Sequence, residues 1–493
     1  MQSNTAEPVE VVLCSVPRRR EIARISPTVE VFPNVGLAYV TSAVRAAGHT
    51  VLQRDPAVEQ QSIESFAREV AELQPRLLGM SCYTLDMYNA GALAQLVKQL
   101  SPATQIVVGG AHPGALPEPT LEEFPAFDFV VFGEGEVTTV ELLRALRDRT
   151  SLDGITGLVH RKGSTVVKNP PRMQVPNLDD LPFPCYDGLP LDKYEGFFHW
   201  RAGDILPITT TRGCPFSCTF CYRTHGRSMR YRSIDNIIAE IEWNIDRYGR
   251  TRFCFTDETF STNRKVTAAL CEAMIARGLH RRIEWMAETR VDRIDAGLLS
   301  LMRQSGCHYI HYGIESGDEE TQRAVSKDLK LDDVGKAIDA AHAVGIRTIG
   351  NFIIGHPYET PERIRKTIRF ALEVNPTYAQ FLIMTPYPGT EIYDMAMKGE
   401  GELVLLSRDW RDFGKVMEIA MELKHVKRAQ LLSLQRWAYM RFYLRPTRIL
   451  RLFEITRTMN LIKYFIYSLG PVSYTHLRAH ETKANLVCRL LLE

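Results

Sequence analysis

The chain has 493 residues, 45% of them apolar and 24% charged, with a net charge of +2. This is the balance of a globular protein of two or three domains with ample core, and it excludes a disordered or fibrous chain. So small a net charge sets up no global field for nucleic acid, and no apolar run has the flanks of a secretory signal or the length of a membrane span, so a cytoplasmic protein is expected.

Residues 1–148 alternate strand-like and helical runs: VEVVLCSVP, HTVLQRDP, LLGMSCY, QIVVGGAH and FDFVVFGEGE, with amphipathic stretches between them. Alternation at this spacing predicts a parallel, doubly wound, Rossmann-like α/β sheet. Such sheets bind ligands at the carboxyl ends of their strands. There the chain places Gly109-Gly110, His112 in the AHPGALPE loop, and Gly133-Glu134-Gly135-Glu136. The glycines permit close approach of a bulky ligand. The last run lacks the dinucleotide fingerprint, and its two carboxylates would repel a pyrophosphate. Residues 149–200 read as a linker, with a β-hairpin turning at Lys162-Gly163 and a proline-rich extended stretch after it.

Residues 201–400 hold six strand-then-helix units, which predict a partial, open (βα)6 barrel of TIM type with its chemistry at the carboxyl ends of the strands. Those ends carry Asp257-Glu258, Glu288 and Arg290, Glu315-Ser316-Gly317 and the turn after Ile353. The first strand runs into TTTRGCPFSCTFCYR, where Cys214, Cys218 and Cys221 follow a Cys-x-x-x-Cys-x-x-Cys spacing. Three thiolates within eight residues form a metal or cluster site. A [4Fe-4S] cluster held by three cysteines leaves one iron open to a small molecule. A tetrahedral zinc site completed by His225 is the competing reading. Cys14, Cys82, Cys254, Cys271 and Cys307 fall in apolar patterns and read as small core residues.

Residues 401–470 read as helical. Between Lys424 and Lys463 there are ten Lys or Arg and one acidic residue, Glu454, with aromatics interleaved. A basic helical cap over the barrel mouth is expected, with an amphipathic surface touching membrane or an acidic or lipid-like substrate as the alternative. The last 23 residues, 471–493, resemble a translated sequencing adaptor rather than evolved sequence and are set aside from fold reasoning.

The cysteine run, with aromatic Phe220 before the third cysteine, resembles the signature of radical S-adenosylmethionine (SAM) enzymes. PNVGLAYVTSAVRAAGHTV, VVGGAHPGALPE and VVFGEGEVTTVELL, in that order upstream, resemble the cobalamin-binding domain that precedes many of them. The resemblance spans about residues 10–445. It implies that Cys214, Cys218 and Cys221 hold the cluster. It also implies that SAM lies against Phe220, Tyr222, Asp257, Glu258, Glu288, Arg290, Glu315, Ser316 and Ile353. Gly109, Gly110, His112, Gly133, Glu134 and Gly135 would border cobalamin. The family's usual Asp-x-His-x-x-Gly motif is missing, so cobalt would lack a histidine from it. The activity implied is cleavage of SAM to a 5′-deoxyadenosyl radical and C-methylation of an unactivated carbon. An oxidative cyclisation like that of magnesium-protoporphyrin ester cyclase, and a non-catalytic cobalamin- or cluster-binding sensor, are the alternatives. A small-molecule, lipid or tetrapyrrole substrate and an electron donor such as flavodoxin or ferredoxin follow from the same resemblance.

Overall fold

The computed structural model describes residues 8–17, 32–194, 203–414 and 419–446. The first sheet comprises β1 (Val11–Ser15), β2 (Val51–Arg54), β3 (Leu77–Ser81), β4 (Gln105–Gly109), β5 (Phe129–Val131), β6 (Leu158–Lys162) and β7 (Thr165–Lys168). Their order is β2-β1-β3-β4-β5-β6-β7. The first five strands are mutually parallel. β1 is Val-Val-Leu-Cys-Ser and buried throughout, as a strand covered on both faces must be. Helices Val35–Ala46 and Gly135–Asp148 pack on one face, and Ile63–Leu73 and Met87–Leu100 on the other. Asn34 caps the first helix by accepting the Leu37 N–H at 3.0 Å.

The hairpin expected in the linker is part of this sheet. β6 pairs antiparallel with β5, and β7 with β6. The proline-rich stretch after it is stapled rather than loose. Asp187 pairs with Arg45 at 2.9 Å and with Arg247 at 2.6 Å, and Tyr194 donates to buried Asp55 at 2.7 Å.

The second sheet is the open partial barrel that the sequence predicts. Its strands are β8 (Ile205–Ile208), β11 (Arg252–Phe255), β12 (Glu284–Thr289), β13 (Cys307–Glu315), β14 (Arg347–Ile354) and β15 (Tyr378–Ile383); β9 (Thr211–Arg212) and β10 (Arg230–Tyr231) form a separate ladder. All six barrel strands run parallel, in the order β15-β14-β13-β12-β11-β8. Their outward side chains form the large core against the surrounding helices. A smaller apolar layer of Ile205, Cys254, Met286, Tyr309, Ile349 and Tyr378 joins alternate inward positions, and Phe32 packs against it.

The C-terminal region differs from the helical cap expected. β16 (Leu403–Leu405) and β17 (Met421–Leu423) form an antiparallel pair. Between them, Trp410 and Phe413 pack into the core of the first domain. Helix Arg428–Tyr443 lies along β15, the barrel's last strand. Ala379 N–H donates to Tyr443 Oη at 3.1 Å, Phe381 N–H to Tyr439 Oη at 3.1 Å, and Gln435 Nε2 to Phe381 O at 2.7 Å. The helix thus satisfies the open strand edge with side chains. Residues 447–470 and the adaptor-like tail lie outside the described residues.

Candidate functional site

The cysteine loop opens where β8 ends. β9 and β10 pair antiparallel, with Arg212 opposite Arg230, and this short ladder closes the neck of the loop. Gly213 has φ +98°, and a Cβ there would stand 2.2 Å from Ser228 O, so only glycine turns the chain at this point. Asp257, just after β11, supports the strand below. It accepts the N–H of Thr210 at 2.8 Å and of Thr211 at 2.5 Å, and their hydroxyls at 2.9 and 3.0 Å. Burial nevertheless pushes its carboxyl up to about 6.

Inside the loop, Cys214 N–H donates to Gly226 O at 3.1 Å, Cys221 N–H to Cys218 O at 3.2 Å, and Thr219 N–H to Val325 O at 3.1 Å. Lost hydration and the neighbouring Cys218 and Cys214 push the Cys221 thiol up to about 12. The three thiols therefore feel one another. Yet among the described residues no three His, Cys, Asp or Glu side chains converge as ligands of a single metal ion do. His225, the fourth ligand of the zinc reading, instead sets its Nδ1 3.4 Å from Glu258 Oε1. With His225 turned to Glu258, the three cysteines lack the fourth protein ligand of a closed zinc site, and three thiolates are a set that holds a [4Fe-4S] cluster.

Around the loop stand the polar strand ends. Arg290 lays its guanidinium 4.0 Å from the ring centroid of Phe216 and donates to Asp292 at 2.9 Å and to Lys327 O at 2.8 Å. Its Nη1 is buried without a hydrogen-bond partner, as is Glu258 Oε2. Glu315 has φ +66°, at a register shift of β13, and pairs with buried Lys327 at 3.0 Å. A non-glycine residue held there marks stored backbone strain of a kind common at ligand sites. Ser316 turns its hydroxyl to Thr367, 2.9 Å away, and is part of the packing behind the site. Ile353 is half-buried on the inward face of β14, and Phe220 lies 6.1 Å from the His356 ring. Glu288 is exposed on β12, beside His311 of β13 in the strand register. Tyr222 packs against Gly389, where a Cβ would come within 2.6 Å of its ring, and against Gly114 of the first domain.

In that domain Gly110 has φ +96° and would clash through a Cβ with the backbone of Cys82 at 2.9 Å. Gly109 lies over Val131, and Gly135 against Val40. Gly133 has φ +78° and a Cβ there would meet nothing, so this turn borders open space. His112 is a packing residue: its Nδ1 is 3.3 Å from Thr84 Oγ1 and its ring 4.6 Å from Trp410, and burial lowers its pKa to about 4. Glu134 spends its carboxylate on Arg212 at 3.0 Å and Arg230 at 2.8 Å, across the domain boundary.

The radical SAM superfamily pattern matches residues 208–371, and the B12 binding domain pattern matches residues 25–143. An uncharacterized methyltransferase of Pyrococcus horikoshii is 34% identical over 448 residues, 90% of this chain and 94% of its own. The chain belongs to the cobalamin-binding radical SAM family. An anaerobic magnesium-protoporphyrin IX monomethyl ester cyclase of Cereibacter sphaeroides is 28% identical over 428 residues, 84% of this chain and 67% of that one. The solved structure of the cobalamin-dependent SAM radical enzyme OxsB, with aqua-cobalamin and SAM bound, shares the fold at a TM-score of 0.73 and 18% identity, over 96% of this chain and 75% of that one.

As a radical SAM site, part of the expected set has the chemistry its ligands need, while Asp257 and Ser316 spend their oxygens on the chain itself. The thiol loop suits a [4Fe-4S] cluster, and the orphaned Glu258 Oε2 and Arg290 Nη1 suit an ammonium and a carboxylate. The sequence did not single out Lys327, Phe216 or Arg212. Lys327 sits in an unremarkable AVSKDLK run between Ser326 and Asp328, which have φ 52° and 51°. Only that turn carries it to Glu315, so no local signal could have found it.

Proposed function

We propose that this chain is a cobalamin-dependent radical SAM methyltransferase that transfers a methyl group to an unactivated carbon of a small molecule. The observation that carries the reading is the apposition of the two cofactor-type regions. The cysteine loop at the barrel's carboxyl end touches the carboxyl-end turns of the first sheet, through Tyr222 on Gly114 and Arg212 on Glu134. A substrate between them meets both a radical source and a methyl donor. When bound, the cluster with SAM supplies the carbon-centred radical, and cobalamin supplies the methyl group.

The chain's own residues would do the rest. Cys214, Cys218 and Cys221 hold the cluster. Glu258 and Arg290 receive the charged end of SAM, and Lys327 with Glu315 sets the charge beside Cys218. The Gly109-Gly110 and Gly133–Gly135 turns admit cobalamin without a histidine ligand from His112. A lipid or tetrapyrrole substrate and a flavodoxin- or ferredoxin-type electron donor belong to this reading. No helix among the described residues is long and apolar enough to cross a membrane, and peripheral contact through the basic C-terminal segment remains part of the proposal.

Anaerobic reconstitution with iron, sulfide and hydroxocobalamin tests it. About four irons and one cobalt per chain, with release of 5′-deoxyadenosine and S-adenosylhomocysteine on adding SAM and a reductant, are expected. Loss of neither product in Cys218→Ala would sink the assignment. Iron without cobalt, with 5′-deoxyadenosine alone, would favour a radical reaction without cobalamin methyl transfer.

A further inference from the structure

The neck of the cysteine loop is held from the other domain. Arg212 and Arg230, partners across the β9–β10 ladder, both reach Glu134. Arg212 Nη1 lies 3.0 Å from Glu134 Oε1, and Arg230 donates to both oxygens, at 2.8 and 3.1 Å. Arg212 Nη2 also donates to Glu136 Oε1 at 2.6 Å. The four side chains are 4–9% exposed. Val175 N–H adds a bond to Glu134 Oε2 at 2.8 Å, and the Arg212 guanidinium stands 5.0 Å from the Tyr39 ring.

Two cations and two carboxylates balance, so the group is neutral as a whole. Buried ion pairs contribute little net stability relative to an apolar filling, because desolvation offsets their attraction. Such a group is better placed to fix a register than to hold a fold together. Its location supports that use. Glu134 belongs to the turn of Gly133, whose missing Cβ faces open space, and Arg212 is two residues before Cys214. One backbone segment thus borders the candidate cobalamin surface and grips the cluster loop.

We propose that Glu134 is a positioning residue that couples the two cofactor regions through Arg212 and Arg230, so that a ligand over the Gly133 turn and a cluster in the cysteine loop raise each other's affinity. This rests on the reading given under Proposed function. Coupling of this kind is reciprocal by thermodynamic necessity.

The test uses the full chain and the charge-balanced double variant Glu134→Gln/Arg230→Gln. Hydroxocobalamin affinity is measured with and without a reconstituted cluster, and iron removal by a chelator is timed in parallel. Wild type should bind hydroxocobalamin at least about fivefold tighter when cluster-loaded, and the double variant should bring that ratio within about twofold of one, with Tm retained. The variant should also lose iron about fivefold faster, since a loosened hold shows mainly in the off-rate. A wild-type ratio of one, or a variant that keeps the wild-type ratio and chelation rate, overturns the coupling. If wild type takes up cluster but no cobalamin, the cobalamin part of the proposed function and the coupling both fail, whereas a bound cobalamin with a ratio of one overturns the coupling alone. Glu136→Gln removes only one bond to Arg212. It should accelerate iron loss to a smaller degree, and it decides in the same direction should the double variant not fold.

Discussion

Asp257 accepts the backbone N–H of Thr211 at 2.5 Å, three residues before Cys214, the first cysteine of the loop. With the bonds from Thr210 it holds the strand exit in place, although burial disfavours its charge. The aspartate expected to face SAM therefore has its oxygens occupied by the chain itself. Asp257→Ala strands two buried N–H groups and should cost about 2–6 kcal/mol, at 1–3 for each group left unpaired. Asp257→Asn should cost less, since its carbonyl keeps one set of bonds. Urea unfolding separates the two, and equal destabilisation by both would contradict the support role.

Gly213 turns the chain in a conformation and a space open only to glycine. Gly213→Ala should displace the loop against Ser228 and cut iron uptake on reconstitution well below that of wild type. The physical cause is a Cβ 2.2 Å from Ser228 O together with a left-handed φ. Full iron content in this variant would show that the neck yields more readily than its geometry indicates.

Glu359 accepts the N–H of Gly355 at 2.6 Å and of His356 at 3.1 Å, in the turn after β14. Burial pushes its carboxyl up to about 8. A folded pKa above the unfolded one makes the folded state the stronger proton binder. Stability from this group is thus present below the unfolded pKa of about 4.3, falls as pH rises, and levels off above the folded value. Glu359→Gln should flatten Tm between pH 5 and 8 and, near pH 9, stabilise on the order of 5 kcal/mol. A variant whose Tm tracks wild type across that range would remove the group from the account.

Tyr443 Oη bridges both backbone groups of Ala379, accepting from N at 3.1 Å and donating to O at 2.9 Å. Tyr443→Phe should leave the N–H and C=O of Ala379 unpaired beneath the helix, costing about 2–6 kcal/mol at 1–3 for each group. Thermal unfolding reads the loss, and a variant of wild-type Tm would contradict it.

Glu258→Gln addresses SAM directly. Its buried, unpartnered Oε2 predicts weaker SAM binding, by roughly ten- to a hundredfold for a lost charge-assisted bond of 1.5–3 kcal/mol, with the cluster retained. Equilibrium binding to the reconstituted protein measures it, and unchanged affinity would remove Glu258 from the SAM site.

The cysteine spacing, the βα alternation of both halves and their order are local patterns, and sequence by itself determined them. Three thiols in one short loop need no distant partner to be recognised. The strand periods likewise follow from which residues must be buried on both faces. What only tertiary structure decided is where polar groups spend their bonds. Asp257 and Ser316 lie at strand ends as expected, yet Thr210, Thr211 and Thr367 claim them. Glu134 reads as a ligand-loop carboxylate but crosses to Arg212, 78 residues away. Lys327 reaches Glu315 through a turn with no sequence mark. The C-terminal helix covers a strand edge because Gln435, Tyr439 and Tyr443 recur at helical spacing opposite free backbone groups, and the edge they match exists only once the barrel is left open. Spacing along the chain reveals which side chains share a face, whereas the partner that satisfies each buried donor or acceptor is set by packing between distant segments.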